Sequence, residues 1–289
     1  MGKDVCEKSE VAKDMFDKAS ERVGLDLKSL CFEENNDINI TEFTQVCLLT
    51  TSVAILKEIE LRGGRCDITG GLSLGEYCAL VANGAMDAVD AAYVVRKRGI
   101  YMQEEVPAGE GGMAAILGLD GAVIEEGIAE FDKVQVANFN CPGQIVISGE
   151  TGQVKTAADK LKGMGAKRCV LLNVSGPFHS ELLKGAGDKL SSTLDEVELS
   201  PMRFPYVANV TGGIVEDDSE IKPLLIRQLS NSVRWQQCVE SMVEFGVDTF
   251  YEIGPGKTLS GFNKKIAKAL GKELTTYQVA TMEDIETYF

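Results

Sequence analysis

The sequence predicts an α/β fold, and two stretches of the chain carry that prediction. Residues 66–69 and 76–82 have the composition of a short strand and a helix, joined by a turn that glycines bracket. Residues 113–174 alternate between segments typical of strands and segments with helical periodicity. Because strands and helices alternate along the chain, we expect helices packed against sheets.

The first hundred residues predict two helices around that turn. Apolar residues at helical spacing predict a core helix over residues 44–61, after a turn-prone segment at 35–41. A second helix is predicted over residues 87–105, and it ends before Pro107. The glycine-rich run 109–112 that follows is typical of a domain boundary.

The middle of the chain predicts two βαβ halves joined by a hairpin. The predicted order is strand 113–119, helix 121–131, strand 133–139, strand 144–149, helix 151–165 and strand 167–174. This order is typical of a ferredoxin-like unit. We therefore predict a ferredoxin-like subdomain over residues 111–174, inserted into a discontinuous larger domain of residues 1–110 and 175–289.

The last part of the chain returns to alternating strands and helices. The predicted elements are a helix from Ser180, a strand over 204–210, helices around 219–230 and 235–245, a strand over 248–253 and a last helix after the turn 254–256. These elements extend the α/β core of the larger domain.

Composition narrows the possible functions. The net charge is −15, with no basic run, which disfavours binding to nucleic acid or to an anionic membrane. The eight cysteines form no C-x-x-C pair, and a single histidine cannot complete a Cys/His zinc site with them. No apolar run is long enough to span a bilayer and the charged start lacks a signal-peptide core, so we expect a cytoplasmic protein without a metal site.

A candidate nucleophile lies in the segment Gly71-Leu72-Ser73-Leu74-Gly75, which matches G-x-S-x-G between a predicted strand and a predicted helix. Small flanking residues let the chain turn tightly enough to expose the Ser73 hydroxyl. The helix that follows supplies backbone N–H groups and a positive dipole, which can stabilise an oxyanion. The five-residue pattern alone is equally compatible with a glycine-rich turn that has no chemistry.

A serine hydroxyl needs a neighbouring base, and His179 is the only histidine of the chain. It precedes the helix predicted from Ser180, a position that disfavours the imidazolium and keeps a free base available near neutral pH. A lone histidine at a helix start is more often a capping or packing residue. Its pairing with Ser73 is what makes catalysis the stronger hypothesis.

Arg98 is the third candidate, because it lies in the apolar stripe of the helix predicted over residues 87–105. The positions three and four residues away on either side are occupied by Val94, Val95, Tyr101 and Met102, so no carboxylate on its own helix can pair with it. An inward guanidinium needs an anion, since an unpaired buried charge is costly. The sequence leaves two partners open, an acidic residue elsewhere in the fold or a carboxylate on the substrate.

Taken together, these residues resemble the malonyl-CoA:acyl carrier protein transacylases of fatty-acid synthesis, which are related to the acyltransferase domains of polyketide synthases. The resemblance extends over nearly the whole chain. The matching segments, in order, are GLSLGEY (71–77), RGIYMQE (98–104), GMAAI (112–116), NFNCPGQIVISG (138–149), PFHS (177–180), RQLSNSVRW (227–235) and EIGPGK (252–257).

The resemblance implies an α/β-hydrolase-like large domain with a ferredoxin-like insert and an active site in the cleft between them. It also implies a ping-pong reaction through a malonyl ester on Ser73, with His179 as the base and the carrier phosphopantetheine thiol as the acceptor. Malonyl-CoA is then a substrate, no cofactor is needed, and a monomer is our default expectation. Arg98 would bind the malonyl carboxylate.

Further site residues follow from the resemblance alone. A backbone carbonyl near Gln228 is expected to orient His179, the Leu74 N–H to bind the oxyanion, and Phe178 to leave room for an unbranched malonyl group. Met102 and Asn138, which lie in two of the matching segments, are expected to contribute to substrate binding.

Two departures from the family pattern stand out. Leu72 occupies the position before the nucleophile, where the family usually has a histidine that is not the base. The family also opens with a strand and a glutamine-containing loop (G-Q-G-S-Q), whose backbone N–H completes the oxyanion hole, and this sequence begins just after that loop. The resemblance therefore implies an exposed sheet edge, and either a truncated gene product or another residue that replaces the missing donor.

Two other functions remain open at this level. The Ser73–His179 pair could hydrolyse esters or thioesters, although a carboxylate-binding Arg98 argues for a dicarboxylic acyl group and against hydrolysis. The chain could instead bind a carrier protein with reduced or no activity, because the glutamine loop is missing. Formation of a malonyl adduct on Ser73, with and without carrier protein, distinguishes the three.

Overall fold

The computed structural model describes residues 1–107, 109–174 and 176–289. Four helices open the chain. The helices are α1 (Lys3–Lys8), α2 (Glu10–Val23), α3 (Leu27–Phe32) and α4 (Thr41–Leu61), with a short 3₁₀ turn at Asp37–Asn39 between the last two. The long helix α4, predicted over residues 44–61, is buried along most of its length. It packs against the helix that follows the nucleophile segment.

The predicted strand–turn–helix follows α4. Strand β1 (Thr69–Gly70) is short, α5 covers Gly75–Ala82, and α6 covers Ala88–Glu104. The Asp87 carboxylate caps α6 by accepting hydrogen bonds from the N–H groups of Val89 and Asp90. Because α6 packs along α4, a residue in the middle of α6 faces the helix that precedes the nucleophile turn.

A four-stranded antiparallel sheet forms the middle of the chain. Its elements are β2 (Gly111–Leu117), α7 (Gly121–Ile128), β3 (Val134–Cys141), β4 (Gln144–Glu150), α8 (Thr151–Gly163) and β5 (Arg168–Leu171). The strand order is β3-β4-β2-β5, as in a ferredoxin-like βαββαβ unit, and both helices contribute to one apolar cluster with the sheet. We propose this unit as the subdomain predicted over residues 111–174.

The rest of the chain returns to the larger α/β unit. Its elements are α9 (Lys184–Asp195), β6 (Tyr206–Val207), β7 (Ile214–Val215), α10 (Ile221–Gln228), α11 (Trp235–Phe245), β8 (Thr249–Ile253), α12 (Thr258–Leu270), β9 (Thr275–Val279) and α13 (Met282–Tyr288). Short 3₁₀ turns at Glu181–Leu183 and Asp218–Glu220 precede α9 and α10. Strand β6 pairs in parallel with β1, and β8 pairs in parallel with β9.

Several predicted elements are shorter than expected, including the strands predicted over 66–69 and 167–174, which appear as Thr69–Gly70 and Arg168–Leu171. The strand predicted over 204–210 is reduced to Tyr206–Val207, because the chain turns at Ala208, whose carbonyl accepts a hydrogen bond from the Gly212 N–H. The helix predicted from Ser180 starts only at Lys184. Ser180 itself is extended, and its hydroxyl donates to the Pro177 carbonyl instead of capping a helix.

A groove of about 930 Å³ separates β1 from β8. Glycine and apolar residues form much of its wall, and the segment Gly70–Leu72 that leads to the nucleophile lies along it. The resemblance implied an exposed sheet edge. Strands β1 and β8 both line this groove.

Among the described helices, none combines the length and the hydropathy that a transmembrane span requires.

The close packing of strands β3 and β4 in the ferredoxin-like unit can be tested by mutation. A Cβ at Gly149 would lie 1.8 Å from the Lys133 carbonyl oxygen, so Gly149→Ala should force β3 and β4 apart. We expect a loss of about 2 kcal/mol in the free energy of unfolding, measured by denaturant titration.

Gly163→Ala is the matched control, since a Cβ at that helical position meets nothing within 4 Å. It should be neutral or slightly stabilising, because alanine is the better helix former. Equal stability of the two variants would contradict the tight strand pairing.

Candidate active site

The chain turns sharply at Ser73, whose φ of 53° lies in the left-handed region. Gly71 permits this turn, because a Cβ there would lie 2.0 Å from the carbonyl oxygen of Gly75. Gly75 itself has open space around its Cα. Of the two glycines in the G-x-S-x-G pattern, the first is therefore the one that sterics require.

Asn209, in the turn between β6 and β7, fixes this conformation. Its Oδ1 accepts a 2.6 Å hydrogen bond from the Ser73 N–H, and its Nδ2 donates to the Gly71 carbonyl at 2.8 Å. Asn209 is completely buried. One side-chain amide thus ties both sides of the strained turn and offsets the cost of the unusual backbone.

His179 lies next to the Ser73 hydroxyl, although the two are more than a hundred residues apart. Its Nε2 is 2.8 Å from Ser73 Oγ, and its Nδ1 is 2.8 Å from the backbone carbonyl oxygen of Gln228. A carbonyl can only accept, so Nδ1 carries the proton and Nε2 has a free lone pair for the hydroxyl hydrogen. Gln228 ends α10, and its carbonyl is one of the terminal carbonyls without a partner inside the helix.

The backbone of His179 is also in the left-handed region, with a φ of 57°. Gln135 on β3 stabilises this segment: its Nε2 donates to the His179 carbonyl at 3.1 Å, and its Oε1 accepts from the Glu181 N–H at 2.9 Å. The ferredoxin-like unit therefore contacts the backbone of the candidate base directly.

The electrostatic environment favours a neutral imidazole. Burial, and next the positive charge of Arg98, lower the pKa of His179 to about 4, against the opposing effect of the Gln228 carbonyl. The sequence predicted the direction of this shift but attributed it to a helix start. That cause is wrong, because the helix begins five residues later, at Lys184.

Arg98 lies beside the same hydroxyl and is almost completely buried. One terminal nitrogen donates to Ser73 Oγ at 3.0 Å and to Gln228 Oε1 at 2.9 Å, and the other donates to Gln45 Oε1. No carboxylate within the described residues forms an ion pair with it. Of the two partners that the sequence left open, a direct ion pair with a protein acid is therefore absent among the described residues, although the buried Glu76 interacts with Arg98 electrostatically.

The remaining predicted residues lie around these three. Leu74 is at the start of α5, with its N–H in the first turn after the nucleophile. Phe178 is half-buried and contacts the cores of both units. Met102 is buried, and its sulfur accepts from Gln45 Nε2 at 3.5 Å. Asn138 lies on β3 and bridges to Val233, with no hydrogen bond to the other site residues.

Sequence analysis missed three amide residues that the structure places at the site, Gln45, Gln135 and Asn209. None belongs to a pattern that indicates chemistry. Gln45 lies on the long apolar helix α4, where a buried polar residue is itself a weak signal. The described residues include no group of three or more acidic, histidine or cysteine side chains arranged to hold a metal ion.

Comparison with known proteins gives a consistent result. Residues 1–282 match the family described as "Acyl transferase domain". Malonyl CoA-acyl carrier protein transacylase of Bacillus subtilis (strain 168) is 46% identical over 291 residues, which cover 99% of this chain and 90% of that protein. The protein of the same name from Escherichia coli (strain K12) is 42% identical over 265 residues, covering 90% of this chain and 86% of its own.

Solved structures agree. The malonyl CoA-acyl carrier protein transacylase of Clostridium perfringens superimposes with a TM-score of 0.94 at 40% identity, over 99% of this chain and 90% of that one. A malonyl-transacylase in complex with a type II PKS acyl-carrier protein gives a TM-score of 0.93 at 39% identity, over 98% and 92% of the two chains. This chain belongs to the acyl transferase family, among the malonyl CoA-acyl carrier protein transacylases.

Proposed function

We propose that this protein transfers a malonyl group from malonyl-CoA to the phosphopantetheine thiol of an acyl carrier protein, through a malonyl ester on Ser73. The names of its relatives describe this activity, and one structural neighbour was solved with its carrier protein. The transfer is a step of fatty-acid synthesis or of a related pathway, for which we propose a cytoplasmic location.

One observation carries the proposal. Ser73 Oγ lies between His179 Nε2, at 2.8 Å, and a terminal nitrogen of Arg98, at 3.0 Å. The first neighbour can remove the hydroxyl proton, and the second is a buried cation without an acidic partner among the described residues. A malonyl group esterified to this oxygen carries a free carboxylate a few atoms away, within reach of that cation.

The first half-reaction forms the ester. Ser73 Oγ attacks the thioester carbonyl carbon while its proton passes to His179 Nε2, and the negative charge moves to the carbonyl oxygen. The Leu74 N–H is a donor for this oxyanion. When the intermediate collapses, the C–S bond breaks, and the leaving coenzyme A sulfur takes the proton from His179.

The second half-reaction reverses these roles. His179 removes the proton of the carrier thiol, whose sulfur attacks the ester carbonyl, and Ser73 leaves with the proton returned by His179. Every step uses protein groups and the two substrates, so the proposal involves no further cofactor. Two alternatives, a thioesterase and a carrier-binding protein without activity, are separate outcomes of the experiments below.

The ester predicts a defined adduct. Incubation with malonyl-CoA should add one malonyl group to Ser73, detected by mass spectrometry, and Ser73→Ala should abolish it. Ser241→Ala, which removes another half-buried hydroxyl far along the chain, is the matched control and should retain the adduct.

The fate of the adduct distinguishes the alternatives. Transfer requires that the malonyl group move to added carrier protein faster than it is lost to water. Faster loss to water would indicate a thioesterase. Carrier binding with no adduct would indicate a protein without activity.

Arg98→Ala should impair recognition of the malonyl carboxylate. We expect kcat/KM for malonyl-CoA to fall about 100-fold, because a buried charge partner of the substrate is removed. The reaction with acetyl-CoA, which has no carboxylate, should fall much less.

Arg96→Ala is the control on the same helix, since Arg96 pairs with Glu42 instead of facing Ser73. It should leave the ratio of malonyl to acetyl transfer unchanged. An unchanged ratio in Arg98→Ala would remove this residue from its proposed role.

The base can be titrated directly, because the chain has one histidine and its imidazole signals are unambiguous by NMR. With a pKa of about 4, His179 should remain neutral from pH 8 down to about pH 5.5. In the unfolded protein the same signals should titrate near the ordinary value. A native midpoint at or above pH 6.5 would contradict the buried, Arg98-facing environment.

A further inference from the structure

Glu76, in the first turn of α5, is an acidic residue buried directly behind the nucleophile. Its side chain is completely buried, and no lysine, arginine or histidine forms an ion pair with it within the described residues. One carboxylate oxygen, Oε2, accepts from Gln228 Nε2 at 2.6 Å and from the Asn209 N–H at 3.2 Å. The other oxygen has no hydrogen-bond partner in the described part of the chain.

Burying a carboxylate in this position costs free energy. Burial raises the pKa of Glu76 to about 7, and the hydrogen bonds from Gln228 and Asn209, together with the positive charge of Arg98, oppose that rise. A buried acid that forms no direct ion pair does not stabilise a fold through its charge. Its contacts with two residues of the active site therefore point to a role at that site.

The contact with Gln228 determines which way that side-chain amide faces. Its Nε2 donates to Glu76 and also to the Ser73 carbonyl, at 2.9 Å, and its Oε1 accepts from Arg98 at 2.9 Å. If the amide were flipped, its oxygen would face the carboxylate and its NH₂ group would face the guanidinium. Both of those contacts are repulsive, so a carboxylate at residue 76 favours the orientation that binds Arg98.

Gln228 thus has two separable parts. Its backbone carbonyl accepts from His179, whereas its side chain links Glu76 to Arg98. A change in the side-chain orientation leaves the backbone contact of the base in place. The position of Arg98 can therefore be perturbed without removing the Ser73–His179 pair.

We propose that Glu76 is a positioning residue for substrate selection: through the Gln228 side chain it holds the Arg98 guanidinium in the orientation that receives the malonyl carboxylate. The inference deepens the proposed function and rests on it. It assigns to Glu76 no contact with the substrate and no proton transfer.

Glu76→Gln tests this, because it keeps the volume of the side chain and replaces one carboxylate oxygen by an NH₂ group. Whichever way the new amide faces, it binds Gln228 less well than the carboxylate does. We expect KM for malonyl-CoA to rise about tenfold, the size typical of losing one hydrogen bond to a charged group. The rate of Ser73 acylation by acetyl-CoA, whose acyl group has no carboxylate for Arg98 to bind, should change by less than about twofold.

Glu58→Gln is the matched control. Glu58 is also a buried glutamate, but it accepts from Ser9 and Arg62, away from the site. This substitution should lower the melting temperature and leave the ratio of malonyl to acetyl acylation unchanged. It separates the general cost of altering a buried acid from an effect on Arg98.

The outcomes are distinct. A selective rise in KM for malonyl-CoA supports the proposal, whereas equal losses for both acyl groups, or no change in either, overturn it. If Glu76→Gln does not fold, Glu76→Asp gives the decision, because it keeps the charge but shortens the side chain that reaches Gln228. Unaltered selectivity in Glu76→Asp also overturns the proposal, while absence of a malonyl adduct in the wild-type protein would mean that the proposed function itself has failed.

Discussion

A buried guanidinium without an acidic partner in the described part of the chain is the feature on which the site depends. Arg98 is 1% exposed, and its hydrogen bonds go to two amide oxygens and one hydroxyl. Neutral acceptors solvate the cation, and Glu76, the acid that interacts with it electrostatically, forms no direct ion pair with it, so we expect it to retain an attraction for a substrate anion. The same charge lies close enough to His179 to lower its pKa, which keeps the base free. In the proposed mechanism, this one side chain thus serves both the recognition of an acid and the removal of a proton.

Amide side chains supply most of the support around that charge. Gln45 and Gln228 bind the guanidinium, Asn209 ties the turn at Ser73, and Gln135 ties the backbone at His179. Ser73 and His179, the proposed nucleophile and base, both have left-handed backbones. Such a backbone costs free energy unless surrounding contacts stabilise it. An amide offers a donor and an acceptor on one rigid group, so it can bridge two chain segments without adding charge. The strained nucleophile turn is therefore fixed without altering the electrostatics that Arg98 sets.

The sequence predicted the α/β class, the ferredoxin-like order of the middle segment and the three distant residues that meet at the site. Those residues could be found because each has a distinctive local signal: a serine in a G-x-S-x-G segment, a single histidine and a cation in an apolar stripe. Asn209, Gln45 and Gln135 could not be found in this way, since a polar residue near a strand end or on a helix is ordinary. Their roles depend on contacts between segments far apart in the chain, which local periodicity does not encode. The length of the strand at Tyr206–Val207 was overestimated for a similar reason, because a turn that begins at Ala208 and is closed by the Gly212 N–H interrupts a run of favourable strand residues.

The overall charge of the protein affects how the site can attract an anion. A net charge of −15 repels an anionic substrate at a distance, and salt screens such fields beyond about 8 Å at physiological ionic strength. Attraction for a carboxylate must therefore act at short range, where burial excludes water and strengthens the interaction. A cation surrounded by amides meets that condition, whereas a surface lysine would be hydrated and partly neutralised by the neighbouring acids. The buried position of Arg98 beside Ser73 agrees with its proposed role, because an acyl group placed at the nucleophile would bring its carboxylate within reach.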